Sequence, residues 1–192
     1  EEPVVEEVSG KENTVFEGAD VERVNFSYGD ETILDNVSLD IKKGQVLGIH
    51  GVSGSGKSTL LKLLMRFRDV KTGEVHISGK NIKDVNTENL REMTGYVTQE
   101  TVMFQGTIAD NIRVAKQNAT IEEIQKAAKK ASIHDFIISL PNGYDTSVGE
   151  LGDSLSDGEK QRIGLARAFL HYGDFLLLDE PTSNLDVLNE GI

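Results

Sequence analysis

Residues 51–59 read GVSGSGKST, glycines and hydroxyl residues packed around a single lysine. The stretch fits the pattern G-x-x-x-x-G-K-[ST] through Gly51, Gly56, Lys57 and Ser58. Glycines let the backbone curl until successive N–H groups point inward and form a concave anion nest. A helix N-terminus behind such a nest adds its own positive end. Ser53, Gly54, Ser55 and Thr59 complete the cradle. In this pattern Lys57 brings a mobile charge to the β- and γ-phosphates of a nucleotide, and the Ser58 hydroxyl suits Mg²⁺.

A triphosphate site needs a second, acidic arm. FLLLDE (175–180) offers one, an apolar run closed by two carboxylates. The spacing predicts a strand buried on both faces that carries Asp179 rigidly to a metal. Glu180 next to it has the chemistry of a general base that polarises an attacking water.

These residues need elements to hold them. QVLGIH (45–50) reads as a short buried strand leading into the glycine stretch, and Leu60, Leu63, Leu64 and Phe67 behind it recur at helical spacing. Upstream, Val24, Phe26 and Tyr28 alternate, a Gly-Asp turn follows, and Val37, Leu39 and Ile41 alternate again, the period of antiparallel strands. EVHISGKNI adds a strand and turn, and TGYVTQ another strand. From about residue 100 the pattern turns helical. Thr120 and Glu123 form a capping box opening a helix, IHDFIISL predicts a shorter one, and PNGYDTSVGELG reads as loop. Ser156 and Glu159 form a second capping box, opening a helix that Gly173 is placed to end. The expected architecture is an α/β core with an antiparallel sheet at its front and a helical insertion.

Composition narrows the setting. The chain of 192 residues is 38% hydrophobic and 27% charged, ordinary for one globular domain. No apolar run reaches the ~18 residues of a membrane span, and the N-terminus lacks the basic and apolar regions of a signal peptide. Without cysteine there is no disulfide or thiolate chemistry. Net charge is −12, and seven carboxylates against Lys11 in the first twenty residues carry half of it. That leader lacks a sustained period and reads as a solvated tail or linker. Strong acidity argues against a nucleic-acid partner, which needs a basic face.

Taken together, residues from about 20 to 192 resemble the ATP-binding cassette ATPases. GVSGSGKST resembles their Walker A motif and FLLLDE their Walker B with its catalytic glutamate, Glu180. Tyr28 falls where the family stacks an aromatic on adenine, although a strand-end aromatic is the plainer alternative. Gln99 in YVTQE matches the glutamine that meets Mg²⁺ and the attacking water, and could otherwise be a solvated loop amide. SNLD (183–186) resembles the D-loop, and LSDGE (155–159) the signature LSGGQ, giving Ser156 and Gly158 an implied role towards a γ-phosphate. Ser156 also serves simply as a cap; a capped helix start presents its dipole to the phosphate in either case.

The resemblance implies a P-loop NTPase fold of the α/β class with an antiparallel β subdomain and an inserted α-helical subdomain. It divides the chain into an acidic linker (1–19), a β and P-loop part (20–99), a helical signature part (100–172) and a closing core strand (173–192). VMFQGTIADNI and GYDTSVGELG resemble loops of exporter-type cassettes that meet the membrane domain. The implied function is ATP hydrolysis with Mg²⁺, coupled to transport at the cytoplasmic face of a membrane. The implied partners are a transmembrane permease domain, expected in the same polypeptide, and a second nucleotide-binding domain in a homo- or heterodimer.

Two departures stand out. Asp157 and Glu159 replace the first glycine and the glutamine of the signature, and the chain stops six residues past Asp186, ahead of the family's switch-loop histidine. The expectation is therefore of a C-terminally incomplete cassette. Competing readings are a soluble cassette ATPase acting on DNA or ribosomes, opposed by the FQGTIADNI phrase and the acidity, and a degenerate half that holds ATP without hydrolysing it, opposed by Glu180.

Overall fold

The computed structural model describes residues 5–151 and 155–179. Its contacts divide it into two compact units, residues 1–94 and 95–192.

The first unit is built on a four-stranded antiparallel sheet in the order β2-β1-β3-β4. Strand β1 (Gly18–Tyr28) pairs with β2 (Glu31–Lys42) across the Gly-Asp turn, as the alternation predicts. The ladder shifts register between Val21 and Val24 and again around Phe26, and Arg23 takes a positive φ of 45° there. Such bulges re-aim side chains and sharpen the twist. Strands β3 (Thr72–Ile77) and β4 (Lys80–Asn81) supply the expected strand and turn. The inward residues Val21, Val24, Phe26, Val75 and Ile77 are buried, together with Leu60, Leu63 and Leu64 of helix α1 (Lys57–Leu64). Each such side chain contributes about 1.5–3 kcal/mol on burial.

Three features depart from the sequence reading. Helix α1 stops at Leu64, and Phe67 lies beyond it, exposed. A helix not predicted, α2 (Thr87–Met93), opens on Asn86, whose side chain accepts from the Asn89 N–H. The leader read as solvated is tied down: Val8 and Thr87 exchange two hydrogen bonds, the Thr14 N–H donates to Asn89 Oδ1 at 2.6 Å, and Phe16 is buried. Among its charges, Glu7 pairs with Arg91 and Lys11 with Asp84 elsewhere in the unit.

The second unit joins a two-stranded sheet, β5 (Thr94–Val97) beside β6 (Phe175–Leu178), to packed helices. Helices α3 (Ile108–Arg113), α4 (Ile121–Lys130), α5 (His134–Ser139) and α7 (Asp157–His171) close around Ile108, Ile112, Ile124, Ile133, Ile137 and Ile163. Both predicted capping boxes form, Thr120 with Glu123 and Ser156 with Glu159, and a third joins Thr107 to Asp110. The segment read as loop contains a short helix, α6 (Val148–Leu151). Helix α7 ends on Tyr172 in the left-handed region (φ 59°), one residue before the glycine expected there.

Candidate functional site

The glycine stretch opens α1 as its spacing predicts. Gly56 is the N-cap, with φ 91°, and contributes no side-chain oxygen to the first turn, which also holds no acid. Only glycine suits the position. A Cβ there would lie 2.7 Å from Leu34 Cδ2 and 3.0 Å from the Ile33 carbonyl of β2. At Gly51 a Cβ would come within 2.5 Å of Ser55 Oγ, so the serine side chain would have to shift. Residues 51–55, with Ser53, Gly54 and Ser55 at the tip, are exposed, while Thr59 is buried and Lys57 and Ser58 are half-buried. The Lys57 ammonium folds back on the loop and donates to the carbonyls of Gly51 at 2.9 Å and Val52 at 3.0 Å. The loop is thus wrapped around its own cation, with helix N–H groups and a positive macrodipole end behind it.

The segment before the loop corrects the sequence reading. Residues 45–50 form no strand, and Val46 is 97% exposed, with Leu47 and Ile49 also exposed. An apolar run becomes a strand only where a neighbour pairs its backbone, and the sheet of this unit is completed by other segments.

Tyr28 ends β1 with 40% of its surface exposed. Phe26 meets its ring edge-on, with centroids 5.0 Å apart and planes at 84°. The Arg68 guanidinium lies over the ring, 5.8 Å from its centroid.

In the second unit, Asp179 follows β6 directly and is buried. Its N–H donates to the Val97 carbonyl at the end of β5 (2.9 Å), and the Tyr96 hydroxyl donates to its Oδ2 at 3.5 Å. Burial, the Asp179 charge and this hydrogen bond together raise the Tyr96 pKa above its usual value. Gln99 is exposed two residues beyond Val97, so the amide and the carboxylate leave adjacent strand ends. Strand β6 is not buried on both faces among the described residues. Phe175 and Leu177 are buried while Leu176 and Leu178 are 39% and 37% exposed, so the strand buries one face and leaves the other partly open. Glu180 and the SNLD segment lie outside the described residues.

Ser156 and Gly158 begin α7. Ser156 Oγ accepts from the Glu159 N–H, Glu159 returns the bond to the Ser156 N–H at 2.8 Å, and Asp157 points to solvent within 3.6 Å of Lys160. The fifteen-residue helix, ~22 Å long at ~1.5 Å per residue, separates this cap from the chain entering β6.

A connection missed in the sequence organises the exporter-like phrase. Asn111 is buried; its side chain accepts from the Phe104 N–H (2.8 Å) and donates to the carbonyls of Phe104 and Thr107, both at 2.9 Å. Arg167 of α7 donates to the carbonyls of Asn111 (2.7 Å) and Val102 (2.8 Å) and stacks 5.4 Å from the Phe104 ring centroid. Burial lowers the Arg167 pKa from its ordinary value. Val102 and Phe104 remain exposed on the loop so held. The second exporter-like segment joins it, Ile108 donating to Thr146 and Val148 to Gly106. Asparagine in a helix repeat signals little by itself, so no local pattern announced this knot.

Among the described residues, Asp20, Glu22 and His76 bring metal-ligand-type atoms within 4.8 Å of one another on the polar face of the sheet. His76 bridges Asp20 at 2.8 Å and Glu74 at 3.0 Å.

Comparison with known proteins agrees with this picture. The profile of a family described as "ABC transporter" matches residues 34–183. A "Probable ABC transporter ATP-binding/permease protein" of Haemophilus influenzae is 64% identical over 173 residues, which is 90% of this chain and 31% of that protein. A Staphylococcus aureus protein named as a candidate multidrug export ATP-binding/permease protein is 47% identical over 175 residues, 90% of this chain and 30% of its own. The solved structure of a bacterial Atm1-family ABC exporter with ATP bound superposes with a TM-score of 0.89 at 40% identity, covering 96% of this chain and 33% of that one. The chain thus spans about a third of the length of the relatives it matches.

Proposed function

Because this chain belongs to the ABC transporter family, we propose that it is the ATP-binding and ATP-hydrolysing domain of an exporter-type transporter, fused to a permease and acting at the cytoplasmic face of the membrane. The observation that carries the reading is the loop at 51–56, wrapped around Lys57 and opening α1 through a left-handed Gly56. On binding, Lys57 exchanges its two carbonyl partners for β- and γ-phosphate oxygens, while the first-turn N–H groups of α1 take the chain of phosphates. The half-exposed Tyr28 offers a ring face to adenine.

For Mg²⁺ the candidate donors are the Ser58 hydroxyl, the Asp179 carboxylate and the Gln99 amide. All are hard oxygen ligands of the kind this ion takes, and the burial of Asp179 next to a neutral hydroxyl favours a firmly placed carboxylate. When bound, Mg²⁺ supplies charge neutralisation between the β- and γ-phosphates. Glu180 serves as general base and Gln99 orients the attacking water.

The family resemblance assigns Ser156 and Gly158 to a γ-phosphate, and the length of α7 sets them well away from the start of β6. That supports a dimer, in which the signature of one nucleotide-binding domain meets the ATP held by the other. Helices α3, α4, α5 and α7 then form the inserted helical subdomain, and the exposed Val102 and Phe104 belong to the surface facing the permease. The exporter names of the relatives support transport as the purpose of hydrolysis.

Calorimetric titration of the intact protein with Mg-ATP tests the central reading. Lys57→Ala is expected to weaken binding by about one to two orders of magnitude, roughly 1.4–3 kcal/mol. Unchanged affinity would remove the 51–59 loop from the nucleotide site.

A further inference from the structure

The stretch that leaves the phosphate-loop helix returns to the candidate base-binding ring. After α1 the chain turns sharply at Arg66 (φ 52°), whose N–H donates to the Leu63 carbonyl, and the Phe67 N–H donates to Lys62. Arg66 Nε reaches Asp69 Oδ1 at 3.5 Å within the same turn. The connector then docks on the β1–β2 hairpin. The Lys71 N–H donates to the Asn25 carbonyl at 3.3 Å, and Lys71 Nζ donates to the carbonyl of Gly29, the residue after Tyr28, at 3.2 Å. Between these anchors Arg68 lays its guanidinium over the Tyr28 ring.

From this arrangement we propose that Arg68 is a positioning residue for the nucleotide base. It backs the Tyr28 ring, fixes its plane relative to the phosphate loop and leaves the opposite face for the purine. The inference rests on the reading of Tyr28 as the base-stacking aromatic.

Three physical points support it. A strand-end tyrosine 40% exposed has rotamer freedom to lose on binding, and that loss subtracts from affinity. Phe26 packs beside the ring with its plane nearly perpendicular, at 84°, and so does not stack on it in parallel. A guanidinium is planar, stays charged and is weakly hydrated, so it can stack on a tyrosine face at low desolvation cost. With the Arg68 guanidinium over the ring and Phe26 perpendicular beside it, the ring is restrained in orientation. The same covalent segment, 51–71, then carries the phosphate nest at one end and the restraint on the base platform at the other. Their spacing is set by the rigid α1 between them.

The test compares Mg-ATP with Mg-tripolyphosphate, a probe that has the phosphates and lacks the base, on the intact protein. Arg68→Ala should weaken Mg-ATP about 3- to 10-fold, the size of the ordering cost of one freed side chain, and leave tripolyphosphate unchanged. Arg68→Lys, which keeps the charge without the plane, should recover only part of the loss, and Arg68→Gln should recover none. In a Tyr28→Ala background Arg68→Ala should have no further effect. An equal loss for both probes would make Arg68 a general electrostatic contact and overturn the proposal. So would unchanged ATP affinity in Arg68→Ala while Tyr28→Ala still weakens it. If Tyr28→Ala itself leaves ATP affinity intact, the base-stacking reading falls, and this inference falls with it.

Discussion

Arg167 grips Asn111 twice across 56 residues of sequence, through Nε to the backbone carbonyl at 2.7 Å and through Nη2 to the side-chain oxygen at 3.0 Å. Asn111 passes that hold to the backbone of Phe104, so a buried amide shapes an exposed loop from beneath. Asn111→Ala would remove the acceptor of the Phe104 N–H, the side-chain donor to the Phe104 and Thr107 carbonyls, and one of the Arg167 hydrogen bonds. A cost of about 2–3 kcal/mol follows from leaving such groups unsatisfied, read as a lower denaturant midpoint. Arg167→Lys should be damaging too, since an ammonium cannot reproduce the fork. A wild-type midpoint for Asn111→Ala would show that water replaces the amide.

Asp157 fits its helix better than the phosphate it is proposed to face. In the first turn of α7, exposed and near Lys160, a carboxylate gains a few tenths to about 1 kcal/mol from the helix dipole. In a closed ATP dimer the same charge would meet a γ-phosphate in a partly desolvated gap and be repelled. Asp157→Gly should therefore lower the nucleotide-free melting temperature slightly and strengthen ATP-driven dimerisation at low salt. Unchanged or weaker dimerisation means that Asp157 turns away from the phosphate.

Glu180→Gln should separate chemistry from binding. The amide keeps the size of the side chain but cannot take a proton, so the intact protein should hold ATP with near wild-type affinity and lose most turnover. Steady-state hydrolysis at the wild-type rate would exclude Glu180 as the base.

His76 gives the sheet a pH signature. Burial opposes its charge, yet the hydrogen bonds and fields of Asp20 and Glu74 outweigh that and raise its pKa above 6.5. A raised pKa means stability that is fully present below the unfolded value and lost as pH rises through the folded one. The wild type should therefore exceed His76→Gln in melting temperature at about pH 5.5, and the gap should narrow by about pH 8.5. A gap independent of pH would assign His76 a packing role alone.

The features legible in the sequence are the ones encoded within a few neighbouring residues. Thr120 caps with Glu123 and Ser156 with Glu159 because partner and target lie three residues apart. The glycine loop leads into α1 because positive φ at Gly56 and the leucines behind it are local demands. The same holds for the residue types of the candidate site, Lys57, Ser58 and Asp179. Tertiary structure decided what those residues meet. Residues 45–50 carry a strand's composition, yet among the described residues of their unit no strand pairs with them. Leader residues Val8 and Thr14 are fixed by Thr87 and Asn89, more than seventy positions away. Arg68 lies on Tyr28, and Arg167 on Asn111, only because the chain returns on itself. A hydrogen bond or a stacked cation needs its partner within a few ångströms. For distant segments that proximity comes from how the whole chain packs, and no short window of sequence contains it.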